Sequence, residues 1–162
     1  MNISETLIDA DDLSRLAGLC AEVLDAIAPR LPGGVASLDA IDQAVDQWQR
    51  SGAAPTVDTL DEDDLIYAFG IAWGNAVAQA HGWHWVDLTF HAFDDWVGRA
   101  VVSPDRALMI LPFAHIHECL SGDDEVKIGA SLAVIGTDLI PSLEPRGYVN
   151  LVHNIQRIVP RG

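Results

Sequence analysis

Between residues 60 and 90 the chain changes its hydrophobic period, and that switch limits the folds open to it. Leu65, Phe69, Ala72, Trp73, Ala76, Val77 and Ala80 recur at the spacing of one buried helix face. Thr59-x-x-Glu62 ahead of them is a capping-box pattern, so a helix is expected to start near Leu60. Trp83-His84-Trp85-Val86-Asp87-Leu88-Thr89-Phe90 follows at once, aromatic and β-branched as a strand should be. Trp96 to Val102 and Ala107 to Leu111 read as two more strands. Asp94-Asp95 precedes the first of them, and Ser103-Pro104-Asp105-Arg106, with the chemistry of a type I turn, separates the two. Connections this short join antiparallel neighbours, which predicts a three-stranded meander beside a long helix.

Helical patterns flank this centre. Leu13, Leu16, Ala17, Cys20, Val23, Leu24 and Ile27 mark a first helix, with Asp9 and Asp12 at its start and Pro29 at its end. Ser37 caps a second, with Leu38, Ile41, Val45 and Trp48 on one side and Asp39, Asp42 and Asp46 on the other. Gly52 and Pro55 close it, and residues 51–58 read as a linker. Pro112 suits the first turn of a helix carrying Phe113, Ile116 and Leu120. Residues 126–140 fit either period, and the acids at 123–125 favour helix. Tyr148, Val149, Val152, Ile155 and Val159 predict a terminal helix. The expected class is α+β, with N-terminal helices packed on the meander and C-terminal helices after it. All of 1–162 is expected to form one domain: an acidic helical layer (1–58), a helix-plus-meander core (59–121) and a helical segment (122–162).

Charge bounds the partner. Twenty-four acids face nine bases, for a net charge of −15. Residues 1–64 hold fourteen of those acids against Arg15, Arg30 and Arg50. A field of that sign repels phosphate backbones and attracts a basic protein surface, so no nucleic-acid partner is expected. The same acidity also maintains solubility. No apolar run is long enough to cross a bilayer, the N-terminus lacks a secretory pattern, and the two cysteines, Cys20 and Cys119, suit a reduced interior. No membrane association is therefore expected, and a cytoplasmic address is. The tail from Arg146 onward has three arginines and no acid, which suits it to lie against the acidic N-terminal half.

Several clusters have the residue types for chemistry or binding. Asp39, Asp42 and Asp46, with Asp61, Asp63 and Asp64, would steer a basic partner. Trp83 and Trp85 share one strand face, which is either core or an aromatic binding patch to which Trp96 could belong. Gly70-x-x-x-Gly74 leaves a groove on the long helix, read as tight helix–sheet packing in preference to a ligand site. His115, His117 and Glu118, with Cys119, are weak metal candidates. Local spacing supplies at most two convergent ligands, so His84 or His91 would have to join them. Asp94 and Asp95 have the residue types of an acid/base pair but, adjacent in an inter-strand turn, read as solvated acids. Gly129-Ala130-Ser131-Leu132-Ala133 departs from a nucleophile elbow at Ala133. There is no phosphate loop, dinucleotide fingerprint or zinc-binding helix motif, so no cofactor is expected.

Phe69-Gly70-x-x-Trp73-Gly74, Gly82-Trp83-x-Trp85-Val86, Val101-Val102-Ser103-Pro104-x-Arg106 and Leu111-Pro112 together make residues 65–121 resemble a bacterial family of unknown function. Small domains of this kind resemble proteins found near toxin–immunity genes, which implies a binding role and carries over no functional residue. The leading expectation is a non-enzymatic protein-binding module, of the immunity-inhibitor type, directed at a basic partner. The alternatives are a small metal-binding protein or hydrolase using the His/Glu cluster, and a subunit that self-assembles through the Trp83–Trp85 face. Either a monomer or a homodimer fits.

Overall fold

The computed structural model of the chain describes residues 2–34, 36–52, 61–121, 126, 128–137, 139–140 and 142–153. It is α+β. The strands are β1 (Ile3–Leu7), β2 (His84–Phe90), β3 (Trp96–Val102), β4 (Leu108–Ile110) and β5 (Val149–Asn150). The helices are α1 (Ala10–Ile27), α2 (Leu38–Ser51), α3 (Glu62–His81), α4 (Pro112–Ser121) and α5 (Ile128–Val134). Two compact units share them. Met1–Ile8, Gly74–Leu111 and Ala130–Gly162 form a sheet unit, and Asp9–Trp73 with Pro112–Gly129 forms a helical unit. Among the described residues no helix is long and apolar enough to cross a membrane.

The sheet runs in the order β1-β2-β3-β4-β5. Strands β2, β3 and β4 form the expected antiparallel meander. It is extended on both sides, by β1 antiparallel to β2 and by β5 parallel to β4, so the sheet has five strands and not three. Val86, Leu88, Phe90, Ala100, Val102 and Met109 make the core of one face, with Ile3, Leu111 and Tyr148 packed against it. Trp85 and Val101, opposite one another in register, belong to the other face. The turn from Ser103 to Arg106 closes with the Arg106 N–H donating to the Ser103 carbonyl at 2.9 Å.

The first regular element is thus a strand, where a helix was expected. Its pattern hides it. Glu5 falls on the same face as Ile3 and Leu88, where alternation calls for an apolar residue. Arg106 neutralises that carboxylate, which makes the position tolerable. At the other end, Val149 and Asn150 are a strand instead of the start of a helix. Arg146 and Tyr148 just before them have φ of 59° and 46°, a left-handed backbone that no helix can include. Leu151 to His153 then take a helical turn, and the expected helical positions Ile155 and Val159 lie outside the described residues. The ambiguous stretch resolves to α5 over Ile128–Val134, leaving the helix by Ile135.

In the helical unit, Asp9 caps α1 by accepting from the Asp11 N–H, and Ser37 caps α2 by accepting from Ala40. Gly52, at φ 74°, ends α2 in the left-handed conformation that glycine adopts without steric cost. Ile41, Val45 and Trp48 are buried, and Trp48 stacks on Phe69 of α3 with ring centroids 5.8 Å apart. The Cys20 thiol donates to the Ala68 carbonyl, tying α1 to α3. Complete burial of a side chain the size of Ile41 or Phe69 contributes about 1.5–3 kcal/mol, so this apolar set holds the unit together. Helices α1 and α2 group with α4 and with α3 as far as Trp73.

Candidate functional site

Asp39, on the outer side of α2, is exposed, and Asp46 pairs with Arg50 at 3.1 Å. Asp42 is different. It is half-buried and accepts hydrogen bonds from the backbone N–H groups of Ile128 and Gly129, while its Oδ1 has no partner. A Cβ on Gly129 would fall 2.9 Å from Asp42 Oδ2, so glycine is what lets the carboxylate in. Burial pushes the Asp42 carboxyl above the usual range, and Asp39 and Asp46 push it further, against the two backbone donors. It is therefore a poor group for steering.

Asp61 and Asp64 form a reciprocal capping box: Asp64 N–H donates to Asp61 Oδ1 at 2.9 Å, and Asp61 N–H to Asp64 Oδ2 at 3.0 Å. The box expected at Thr59 and Glu62 is displaced to these acids, and Thr59 lies outside the described residues. Asp63 is exposed. Of the six acids predicted to meet a partner, Asp39, Asp61 and Asp63 are exposed, Asp42, Asp46 and Asp64 are half-buried, and all but Asp39 and Asp63 are engaged within the unit by the bonds given above. The formal charge follows the same division. The helical unit holds seventeen acids and four bases, the sheet unit seven and five, which assigns −13 of the net −15 to the helical unit.

Trp83 and Trp85 are buried, which removes them from any exposed binding patch. The reason is Gly74. A Cβ there would sit 2.2 Å from the Trp85 ring and 3.1 Å from Val101, so the helix approaches the sheet over a bare backbone. Asn75 Oδ1 accepts from the Trp85 indole N–H at 2.9 Å and fixes the ring. Gly70 serves a different contact, with Phe113 of α4. The glycine pair is packing, as expected, although only Gly74 meets the sheet. Exposed apolar side chains lie elsewhere, among them Leu7 (78%), Phe93 (62%), Trp96 (47%) and Val97 (56%), and Trp96 leans on Phe90 with centroids 5.3 Å apart.

His115, His117 and Glu118 do not converge. His115 is buried against Trp73, with its ring within 3.7 Å of the Cys119 sulfur, while His117 points to solvent and Glu118 is half-buried. Among the described residues no three His, Cys, Asp or Glu side chains are placed to hold a metal ion. Ser131 is buried inside α5, so the elbow-like pattern is ordinary helix. Burial pushes the Cys20 thiol up to about 11, which keeps it unreactive.

Two constellations in the sheet unit were not foreseen. Arg106 donates to both Glu5 oxygens, at 2.9 and 3.2 Å, and the Tyr148 hydroxyl donates to the same carboxylate at 2.8 Å. This two-pronged bond from Arg106 holds the Glu5 carboxyl below the usual carboxylate range despite burial, with Tyr148 and the charge of Arg146 assisting. Pro104, Asp105 and Pro145 complete a polar cavity of about 660 Å³ around them. The second constellation joins Ser4 of β1, His91 in the 3₁₀ turn after β2, and Asp95 just before β3. Ser4 Oγ lies 2.6 Å from His91 Nε2, and His91 Nδ1 lies 2.5 Å from Asp95 Oδ1. The His91/Asp95 spacing of four was visible in the sequence, but Ser4 is 87 residues from His91 on a strand whose pattern is disguised.

Comparison of the chain with protein-family models, with curated proteins and with solved structures found no match.

Proposed function

We propose that the protein is a binding module whose acidic helical unit docks on a basic protein surface, as an immunity-type inhibitor does. The observation that carries this reading is the partition of charge: seventeen acids against four bases on one unit, with Asp39, Asp61 and Asp63 open to solvent. Within that unit the described ion pairs are Arg15–Asp12 and Arg50–Asp46, both exposed i,i+3 or i,i+4 contacts that leave most of the acids uncompensated. Such a field raises the rate of encounter with a cationic partner by about 10–1,000-fold and selects against anionic ones. Asp39 and Asp63 do the steering, whereas Asp42 and Asp64 hold helix ends in place.

Affinity capture from the native host's lysate at low salt tests this. The expected result is a basic protein that is retained by the wild-type chain, released as ionic strength rises, and bound more weakly by Asp39→Lys and Asp63→Lys. Capture of nothing at low salt, or of a partner indifferent to salt and to both substitutions, overturns it.

A further inference from the structure

At the outer corner of the sheet three side chains from separate elements line up in the order hydroxyl, imidazole, carboxylate. Ser4 Oγ is 2.6 Å from His91 Nε2, and His91 Nδ1 is 2.5 Å from Asp95 Oδ1. An imidazole that donates its Nδ1–H to a carboxylate presents a bare Nε2, the atom needed to accept a hydroxyl proton. The connection that delivers the carboxylate turns through Asp94 and Asp95, both left-handed at φ 53° and 57°, a hairpin-turn backbone that aspartate tolerates.

The geometry points to Ser4 as a nucleophile, His91 as its general base and Asp95 as the positioning residue of a small-ester hydrolase site. The surroundings fit that class of substrate. Ser4, Thr89 and Val97 lie opposite one another across three strands, so exposed Val97 shares the face of Ser4, about 10 Å away at the usual strand spacing. Phe93, also exposed, is two residues beyond His91. The register leaves a backbone donor at the edge of β1. His91 N–H donates to the Asn2 carbonyl, so Asn2, Ser4 and Thr6 turn their backbone groups toward β2. The N–H of Glu5, the residue after the nucleophile, then points to the edge of β1 that no described strand pairs.

The reaction closes on itself. Ser4 Oγ bonds to the ester carbonyl carbon while its proton passes to His91 Nε2, and the carbonyl π pair becomes the oxyanion. Collapse re-forms the carbonyl and breaks the bond to the alcohol oxygen, which leaves with the proton from His91. Water then gives a proton to Nε2 as its oxygen attacks the Ser4 ester. Ser4 Oγ departs and recovers that proton, so ester and water become acid and alcohol.

The test treats the full chain with an alkyl fluorophosphonate, a probe of activated serine, and maps the adduct by mass spectrometry, with a known serine hydrolase treated in parallel. The expected result is an adduct on Ser4 whose rate of formation falls about 100-fold in His91→Gln. It also falls at least about tenfold in Asp95→Asn, with thermal midpoints showing the variants folded. No Ser4 adduct on the wild-type chain while the control enzyme is fully modified overturns the assignment. So does a Ser4 adduct that forms equally fast in His91→Gln. The wild-type mapping stands whether or not a variant folds, and none of these residues belongs to the acidic helical unit.

Discussion

Two carboxylates in this protein are displaced in opposite directions, and the sign of each has a consequence for stability. Glu5, held low by Arg106, contributes stability that is present above the unfolded-state carboxylate pKa and is lost as pH falls through its folded value. Asp42, pushed up by burial, does the reverse: its contribution is full below the unfolded value and is lost as pH rises through the raised one. At neutral pH the charged Asp42 is therefore a cost. Asp42→Asn keeps an oxygen to accept from Ile128 and Gly129 while removing the buried charge. It is expected to raise the urea midpoint at pH 7, a gain that shrinks toward pH 4. Equal or lower stability at pH 7 would show that the desolvation of Asp42 is slight.

Between elements, the closest approach is that of α3 to β2 and β3 at Gly74. Because Asn75 fixes the Trp85 ring, an added methyl there has no easy relief. Gly74→Ala is expected to cost about 1–3 kcal/mol by overpacking. Gly18→Ala, in α1 with nothing near its missing Cβ, should stabilise by about 0.5–1 kcal/mol through helix propensity alone. Chemical denaturation of the pair checks both signs. These contacts explain which elements could be read from the chain. The period of Leu65, Phe69, Trp73 and Val77 and the aromatic run from Trp83 identify α3 and the meander, because these side chains are buried. Strand β1 was not legible, since Glu5 breaks its alternation and is neutralised by Arg106, 101 residues away. Strand β5 was hidden for a similar reason, its two residues being set by pairing to β4 and not by any local preference. The proposed site shows the same limit: His91 and Asp95 stand four apart in sequence, but only the pairing of β1 brings Ser4 to them.

At the scale of the molecule, charge is segregated more sharply than the chain order indicates. The first 64 residues hold fourteen acids, yet it is the helical unit, gathering residues from two stretches of chain, that carries −13. Self-repulsion within that unit works against its compactness. The half-buried ion pairs Arg99–Asp87 and Arg106–Glu5, which salt would weaken least, both belong to the sheet unit. Raising sodium chloride from about 10 mM to about 0.3 M shortens the screening length several-fold. Over that range the thermal midpoint is expected to rise by a few degrees in scanning calorimetry. A steady fall would show that ion pairing outweighs repulsion.

The bonds from Glu5 to Arg106 and Tyr148 span 101 and 143 residues of chain. During synthesis β1 therefore leaves the ribosome long before anything exists for it to pair with. Strand β2 arrives first, then the Ser103–Arg106 turn, and Tyr148 later still. Until then Glu5 remains a solvated carboxylate on an extended segment. Closing loops of that length is entropically slow, so addition of β1 to the sheet belongs among the last events of folding. The residues that complete both unforeseen constellations are thus made well before their partners and are among the last to be placed. A nascent chain can carry its full complement of N-terminal acids well before Ser4 meets His91.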